Sequence, residues 1–165
     1  MKLSLKALCW CAFVAALCWQ FPATAKTTKR YLYAAEPGIR NYVEYGGIGF
    51  IVYDIDAGYK FVKRIATWPV VAGQPPENVK GVVANAQTGK IYLSTPKRVA
   101  CWDLVTEKME WDKEYPGGAD RIALSPDGKV MYVPSFEGPT WQVVNALNGE
   151  IIKTLTPNSG AHNTI

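Results

Sequence analysis

The sequence predicts an all-β protein built from four-stranded antiparallel meanders, on the strength of two observations. Residues 122–133 read IALSPDGKVMYV, and residues 82–94, about forty positions earlier, read VVANAQTGKIYLS. Each stretch is followed by two further short apolar segments that are separated by residues typical of turns. A pattern repeated at this spacing indicates one structural unit stacked several times.

The unit at 118–157 contains every element in order. RIALS (121–125) alternates apolar and polar residues, as a half-buried strand does. Pro126-Asp127-Gly128 predicts a tight turn, because proline presets φ, aspartate bonds its own backbone and glycine accepts a positive φ. Asn148-Gly149 predicts the last hairpin. The four predicted strands are 121–125, 130–135, 140–145 and 150–155.

The unit before it has the same order of features. Its predicted strands are 81–86, 90–95, 98–104 and 108–115. The aligned positions are Gly89 with Gly128, Tyr92 with Tyr132, and Asp103 with Asn145. Because Asp and Asn side chains bond nearby backbone N–H groups, we expect the last pair to cap the hairpin that follows.

A looser copy opens the repeat region, with predicted strands at 30–36, 49–56 and 59–65 and with Asp54 in register with Asp103. Segment 30–36 is either the second strand of an incomplete first unit or the strand that completes the final one. Residues 160–165 align with 118–123, so a fourth unit is predicted to begin there.

Such repeated meanders are typical of the blades of a β-propeller. The predicted partial propeller at 26–165 has blade 1 at about 30–67, blade 2 at about 79–116, blade 3 at about 118–157 and the start of blade 4 at 160–165. Closed rings have about 4–8 blades, so we expect the N-terminal part of a longer protein. The alternatives are that two such chains close one ring by self-association, or that the chain does not fold alone.

Residues 1–25 have the features of a secretory signal peptide. Lys2 and Lys6 precede the apolar run 7–21, and small residues at 23–25 predict cleavage after Ala25. The run is shorter than the roughly 20 residues of a spanning helix. A lipoprotein anchor at Cys18 is the competing interpretation, although the preceding Leu17 is larger than the residue expected there. We therefore expect an exported protein, periplasmic or secreted, without a membrane span in its mature chain.

Removal of this segment narrows the classes of protein that remain. Cys101 becomes the only cysteine, which excludes a disulfide framework, and we expect it to be a small buried hydrophobe. Two of the 18 basic residues leave with the segment, so 16 remain against 14 acidic ones. That balance is too even to indicate nucleic acid or an anionic membrane as a partner. Trp102, Trp111 and Trp141 lie on predicted third and fourth strands, where we expect them to pack between blades.

Three phrases resemble the repeats of the bacterial YVTN-type β-propeller family: SPDGKVMYVPS (125–135), VVNALNGEIIKTL (143–155) and VYDIDAGYKFVKRI (52–65). MYVPS and IYLST stand at the place of the Tyr-Val-Thr-Asn motif, without its closing Asn. The resemblance covers about 30–165 and implies an exported propeller, a group in which binding or unassigned functions predominate. Related seven-bladed rings include lactonases and quinoprotein subunits, so the resemblance does not fix a function.

The first group of candidate ligand-binding residues lies on loops that lead into innermost strands, because ligands of propellers usually meet the mouth of the central channel there. This group consists of Asp120, Arg121, His162 and Asn163. His162 is the only histidine, and a neutral imidazole is able to act as a base or a metal ligand. The alternative roles are a polar rim residue that bonds a neighbouring loop and, for Asp120 with Arg121, a loop-fixing ion pair.

The second group lies in residues 36–48, EPGIRNYVEYGGI, the segment that least resembles the repeat. Arg40, Asn41 and Tyr42 there have the composition of a recognition loop, since Arg and Tyr supply bidentate and stacking contacts. The alternative is an ordinary surface excursion.

The sequence indicates no catalytic residue, metal site or particular cofactor. It has no Cys/His cluster with metal-ligand spacing, no G-x-S-x-G nucleophile elbow and no Gly-rich phosphate loop after a strand. The favoured function is a scaffold that binds a protein or small-molecule ligand through its channel-face loops. The alternative is a propeller enzyme, a lactone hydrolase or quinoprotein-like dehydrogenase, whose active site is completed by blades beyond residue 165.

Overall fold

A computed structural model describes residues 28–40, 43–157 and 159–162, and within 37–48 it describes the backbone alone. The regular elements of this part of the chain are eleven β-strands in three antiparallel sheets. The predicted all-β class is therefore confirmed, and the sheets have the meander order of propeller blades. Among the described residues no helix is long and apolar enough to span a membrane.

The first sheet has three strands in sequence order, β1 (Tyr31–Arg40), β2 (Val43–Asp54) and β3 (Lys60–Ile65). β1 pairs antiparallel with β2 in a register that sets Tyr31 opposite Asp54. Of the two interpretations of segment 30–36, the pairing therefore favours the second strand of the first unit.

The prediction of a loop at residues 36–48 is wrong. β1 and β2 continue through most of it as one long hairpin, in which Pro37 faces Ile48 and Arg40 faces Val43. The register shift between Pro37 and Ile39 marks a bulge. Such a bulge admits a proline and an extra residue without ending the strand pair, which is why these residues were mistaken for a loop.

The second and third sheets each have four strands. In the second, the strands are β4 (Gly81–Asn85), β5 (Lys90–Ser94), β6 (Arg98–Asp103) and β7 (Met109–Glu114), in that spatial order. In the third they are β8 (Ala123–Leu124), β9 (Val130–Pro134), β10 (Trp141–Asn145) and β11 (Ile151–Leu155). Each predicted strand of these two units is present, and neighbours in sequence are neighbours in the sheet.

Two predicted strands differ from expectation in extent. β8 has two residues where five were predicted, and of the other three only Arg121 forms an isolated bridge. Ala161 and His162, at the predicted start of blade 4, lie outside any strand. Residues 163–165, the rest of that predicted strand, are outside the described part of the chain.

The predicted caps after the third strands are confirmed. The Asp103 Oδ1 atom accepts hydrogen bonds from the backbone N–H groups of Val105 and Thr106, at 2.9 and 2.6 Å. Asn145 Oδ1 accepts one from Leu147 at 2.9 Å, and Asp54 Oδ1 accepts one from Ala57 at 3.1 Å. A side-chain oxygen at this position thus satisfies donors that the hairpin leaves unpaired.

The hydrophobic core consists of two layers, one on each face of the second sheet. Between the first and second sheets lie Phe50, Val52, Trp68, Leu93 and Trp102, among others. Between the second and third lie Tyr92, Cys101, Met131, Val133 and Val144, among others. Because successive residues of a strand face opposite sides, Trp102 and Cys101 belong to different layers. β5 and β6 are therefore buried on both faces, which explains their nearly unbroken apolar runs.

The prediction that Cys101 is a buried hydrophobe is confirmed. Its side chain is almost fully shielded from solvent, and the thiol is free. Burial, with a smaller contribution from the carboxylate of Glu110, raises the pKa of the Cys101 thiol to about 12. A thiol held protonated in this way is a packing group and not a nucleophile.

Candidate functional site

The connection between β7 and β8 crosses from the second sheet to the third and carries Asp120. Gly117 and Gly118 turn the chain there, with φ values of 78° and 71°. The backbone N–H of Gly118 donates to Tyr115 O at 2.8 Å, and that of Phe136 donates to Gly117 O at 2.8 Å. A Cβ on Gly118 would overlap the carbonyl oxygen of Pro96. The close approach of these loops therefore requires glycine at 118.

Asp120 is fixed by its backbone to both neighbouring sheets. Its N–H donates to Pro134 O, at the end of β9, over 2.9 Å. Its carbonyl oxygen accepts a bond of 2.5 Å from the Ser94 hydroxyl, at the end of β5. These bonds place the side chain at the junction of the two sheets, where it is 1% exposed.

The buried carboxylate of Asp120 has two cationic or proton-bearing neighbours. Its Oδ2 atom lies 2.8 Å from His162 Nδ1, and its Oδ1 atom lies 3.7 Å from Arg121 Nη1. These are ion-pair distances, but neither oxygen receives a hydrogen bond of good angular geometry. A buried carboxylate is costly unless it is paired. His162 and Arg121 therefore compensate a charge that the fold otherwise leaves poorly satisfied.

His162 and Arg121 also contact each other, with 2.8 Å between the His162 Nε2 and Arg121 Nη1 atoms. A guanidinium has donors and no acceptor, so Nε2 must be the acceptor of this bond. The neutral imidazole then carries its proton on Nδ1, the nitrogen that faces Asp120. The contacts on the two sides of the ring therefore agree on one tautomer.

Lys80 and Phe136 extend the site on the side of the second sheet. The Lys80 ammonium lies 4.8 Å from the centre of the Phe136 ring, a cation–π distance. Gly81, the next residue, approaches the third sheet so closely that a Cβ there would lie 3.1 Å from Arg121 Cα. The loops that carry Lys80, Arg121 and Phe136 are thus in direct contact. The sequence offered no reason to select Lys80, since its partner Phe136 is 56 positions away along the chain.

Three of the seven predicted site residues meet in the structure. Asp120, Arg121 and His162 form one contact cluster, which we call the Asp120 cluster. Arg40 ends β1, but its side chain is outside the described part, as are Asn41, Tyr42 and Asn163 altogether. Those four residues remain predictions.

A second candidate is a cleft between the outer strands of the second and third sheets. It has a volume of about 260 Å³ and is lined by Lys113, Glu114, Tyr115, Gly149, Glu150 and Ile151. The Tyr115 hydroxyl donates to Gly149 O at 2.8 Å, which ties the outer strand of the second sheet to the last hairpin of the third. The cleft lies below the usual volume range of ligand sites, so the Asp120 cluster is the stronger candidate. Within the described residues no group of three metal-ligating side chains is assembled.

Comparison with solved structures supports the fold. The chain matches 290 solved chains, so this architecture is too widely shared to identify a function. One of them is hydrazine synthase from Kuenenia stuttgartiensis, a β-propeller-containing protein, with a TM-score of 0.55 and 13% sequence identity. The match covers 69% of this chain and 31% of that chain, and at this identity it shows the fold alone.

Comparison at the level of sequence identified no relative of this chain. No protein-family model matches the chain, and no curated protein is similar to it in sequence. The chain is thus assigned by its architecture, an all-β repeat protein of propeller type.

Proposed function

We propose that the protein is an exported β-propeller repeat protein of the YVTN type that binds a ligand through its channel-face loops. One observation carries the binding role. The connection between β7 and β8 and the segment after β11 bring Asp120, Arg121 and His162 together, with the acid buried and the other two side chains half exposed. Such a buried carboxylate fixes the orientation of exposed polar groups, as binding sites require.

The export part of the proposal rests on residues 1–25 and the predicted cleavage after Ala25. It is tested by intact-mass and N-terminal analysis of the native protein recovered from the cell envelope or medium. We expect a chain that begins at Lys26. Recovery of the uncleaved chain from the cytoplasm would overturn this part.

A scaffold is favoured over an enzyme by the state of the only imidazole. Both ring nitrogens of His162 are engaged, one beside Asp120 and the other by Arg121. A general base needs a nitrogen that reaches the substrate proton, and here Arg121 occupies that nitrogen. The geometry therefore suits recognition better than proton abstraction.

The binding role is tested by a thermal-shift screen of metabolite-sized compounds. We expect compounds that raise the melting temperature of the wild type and of Lys153→Gln, a control on the exposed β11 strand. The shift should disappear in Arg121→Ala. Compounds that bind Arg121→Ala equally well would overturn the proposal. Chemical conversion of a bound compound, followed by mass spectrometry, would favour the enzyme instead.

A further inference from the structure

We infer that the Asp120 cluster, together with Lys80 and Phe136, is an oxyanion site that takes a small organic anion. The inference rests on the proposed binding function and specifies the chemistry of its ligand. It starts from the charge of the exposed groups. Arg121 and His162 have side-chain exposures of 50% and 59%, whereas the acid between them is buried. Solvent at this rim therefore meets a guanidinium and an imidazole, and the carboxylate is hidden beneath them.

Asp120 acts as a positioning residue for these two groups. Its Oδ2 atom lies at 2.8 Å from His162 Nδ1, and its Oδ1 atom lies on the Arg121 side. The backbone bonds to Ser94 and Pro134 make the carboxylate a fixed point of the fold. Because neither carboxylate oxygen has a hydrogen bond of good geometry, its attraction for Arg121 and His162 is electrostatic.

Arg121 is the main ligand-contacting residue in this site. A guanidinium presents N–H donors in a plane that matches a carboxylate or phosphate, and the Arg121 side chain is 50% exposed to solvent. An oxyanion is therefore able to approach the guanidinium from the solvent side. An oxyanion bound to Arg121 would change the environment of the His162 ring, because the ring contacts Arg121 Nη1.

Lys80 and Phe136 favour an organic anion over a bare inorganic one. Lys80 brings a second positive charge to the same rim, since Gly81 beside it contacts the Arg121 backbone. The Phe136 ring, which lies 4.8 Å from the Lys80 ammonium, adds an apolar surface for a carbon skeleton. A cation over an aromatic ring, on a loop in contact with the Arg121 backbone, matches a ligand with an acidic group and an apolar part.

The experiment uses His162 as a reporter, because it is the only histidine in the protein. Its ring signals are followed by NMR at constant pH while succinate is added, with inorganic phosphate, glucose and choline as parallel probes. We expect a saturable shift with succinate, a weaker one with phosphate and none with glucose or choline. Arg121→Gln should weaken succinate binding about tenfold or more, and Lys80→Gln about threefold. Lys153→Gln, on the outer strand, should leave it unchanged.

Asp120→Asn tests the positioning role separately. In the wild type the ring ¹⁵N signals should report the tautomer protonated at Nδ1. In Asp120→Asn they should report a mixture, because the carboxylate no longer selects one nitrogen. A pure Nδ1–H tautomer in this variant would overturn the positioning role. If the variant does not fold, a wild-type ring protonated at Nε2 and neutral overturns it equally.

Failure of this inference is distinguishable from failure of the proposed function. If the compound screen finds channel-face ligands but neither anion moves the wild-type His162 signal, the oxyanion inference alone is wrong. A signal that moves equally in Arg121→Gln also contradicts it. If the screen finds no ligand dependent on Arg121, the binding function itself is wrong.

Discussion

The two junctions between neighbouring sheets are built from different residues, although they bury the two faces of one sheet. At the first junction Trp102 packs edge to face against Phe50 and Trp68, with ring centres 5.4 Å apart in each pair. At the second, aliphatic side chains such as Met131 and Val144 dominate, with Tyr92 tilted against Trp111. The difference shows that alternate residues of one repeat pack against different neighbours, so sequence similarity between repeats does not imply similar junctions.

The junctions also differ in their polar content. The first is bordered by partly buried ion pairs, among them Arg98 with Asp112 and with Glu77, and one buried polar atom there, Arg98 Nε, lacks a hydrogen-bond partner. The second contains the buried Asp120 carboxylate and the Tyr92 hydroxyl, neither of which has a well-formed hydrogen bond. Buried polar groups without hydrogen-bond partners cost stability. The candidate functional site lies at the junction that contains more of these groups.

The largest expected effect comes from removing the centre of the first junction. Trp102→Ala should lower the free energy of unfolding by about 3–5 kcal/mol, since it deletes a buried ring and leaves a cavity. Met131→Ala at the second junction should cost about 2–4 kcal/mol. Urea unfolding followed by far-UV circular dichroism measures both. A larger cost for Met131→Ala would show that the aromatic junction is not the more stable one.

The next effect tests the close approach of loops at the second junction. Gly118→Ala combines a positive φ with overlap against Pro96 O and should cost about 2–5 kcal/mol. Gly89→Ala is the matched control, because its φ of 66° is similar but no atom lies within 4 Å. It should cost about 1 kcal/mol. Equal losses in urea unfolding would mean that backbone conformation alone matters at 118.

A smaller effect on stability is expected when a tyrosine hydroxyl at the second junction is removed, and its sign should depend on whether the hydroxyl is hydrogen-bonded. Burial raises the pKa of Tyr92 and of Tyr115, but only the Tyr115 hydroxyl has a hydrogen bond of good geometry, to Gly149 O at 2.8 Å; the Tyr92 hydroxyl lies near the Cys101 thiol without one. Tyr115→Phe should destabilise the protein by about 0.5–1.5 kcal/mol. Tyr92→Phe should be neutral or stabilising by up to about 1 kcal/mol. Destabilisation by Tyr92→Phe in the same unfolding assay would show that its hydroxyl has a partner in solution.

The smallest expected effect on stability concerns the caps of the second and third sheets, where the side chains of Asp103 and Asn145 accept equivalent backbone hydrogen bonds. The Lys90 ammonium, with the backbone N–H of Thr106, holds the pKa of the Asp103 carboxyl well below its ordinary value. A carboxyl with a lowered folded-state pKa stabilises the protein above its unfolded pKa of about 4. This contribution is lost as the pH falls toward the folded-state value.

Asp103→Asn isolates that charge, because the amide oxygen is able to keep the cap, as Asn145 does in the third sheet. The variant should be slightly less stable than the wild type at pH 7, and the difference should shrink progressively below pH 4. Urea unfolding at several pH values measures it. Asn145→Asp serves as the control, because among the described residues no lysine is hydrogen-bonded to the Asn145 side chain as Lys90 is to Asp103. A difference that persists unchanged at low pH would mean that the cap geometry, and not the charge, was altered.

Much of the fold could be predicted because its signals are local. The Pro126-Asp127-Gly128 turn and the recurring Asp or Asn after each third strand act over two or three residues, so they mark strand ends directly. The first hairpin could not be predicted in full, because a bulge near Pro37 looks like a loop in sequence. Trp68 was missed because it lies outside every repeat and reaches its place through tertiary packing.

The candidate site could be predicted in part for a related reason. The repeat alignment placed Asp120, Arg121 and His162 at the entries of inner strands, and the fold brought these entries together. Which of them is buried, and which nitrogen of His162 faces which partner, depends on distances between loops about forty residues apart. The contribution of Phe136 depends on its contact with Lys80, which lies on the loop of another sheet. Contacts between loops so far apart along the chain produce no recognisable pattern in the local sequence.

The capping oxygens have a consequence for the order in which the chain folds. Asp54, Asn85, Asp103 and Asn145 each bond a backbone N–H two or three residues ahead, so a hairpin start needs only the residues next to it. Closing so short a loop costs little chain entropy. Each hairpin is therefore able to form as soon as its own residues are available, before the next sheet exists. The repeat thus favours vectorial folding, in which the slow step is the docking of one finished sheet onto the last.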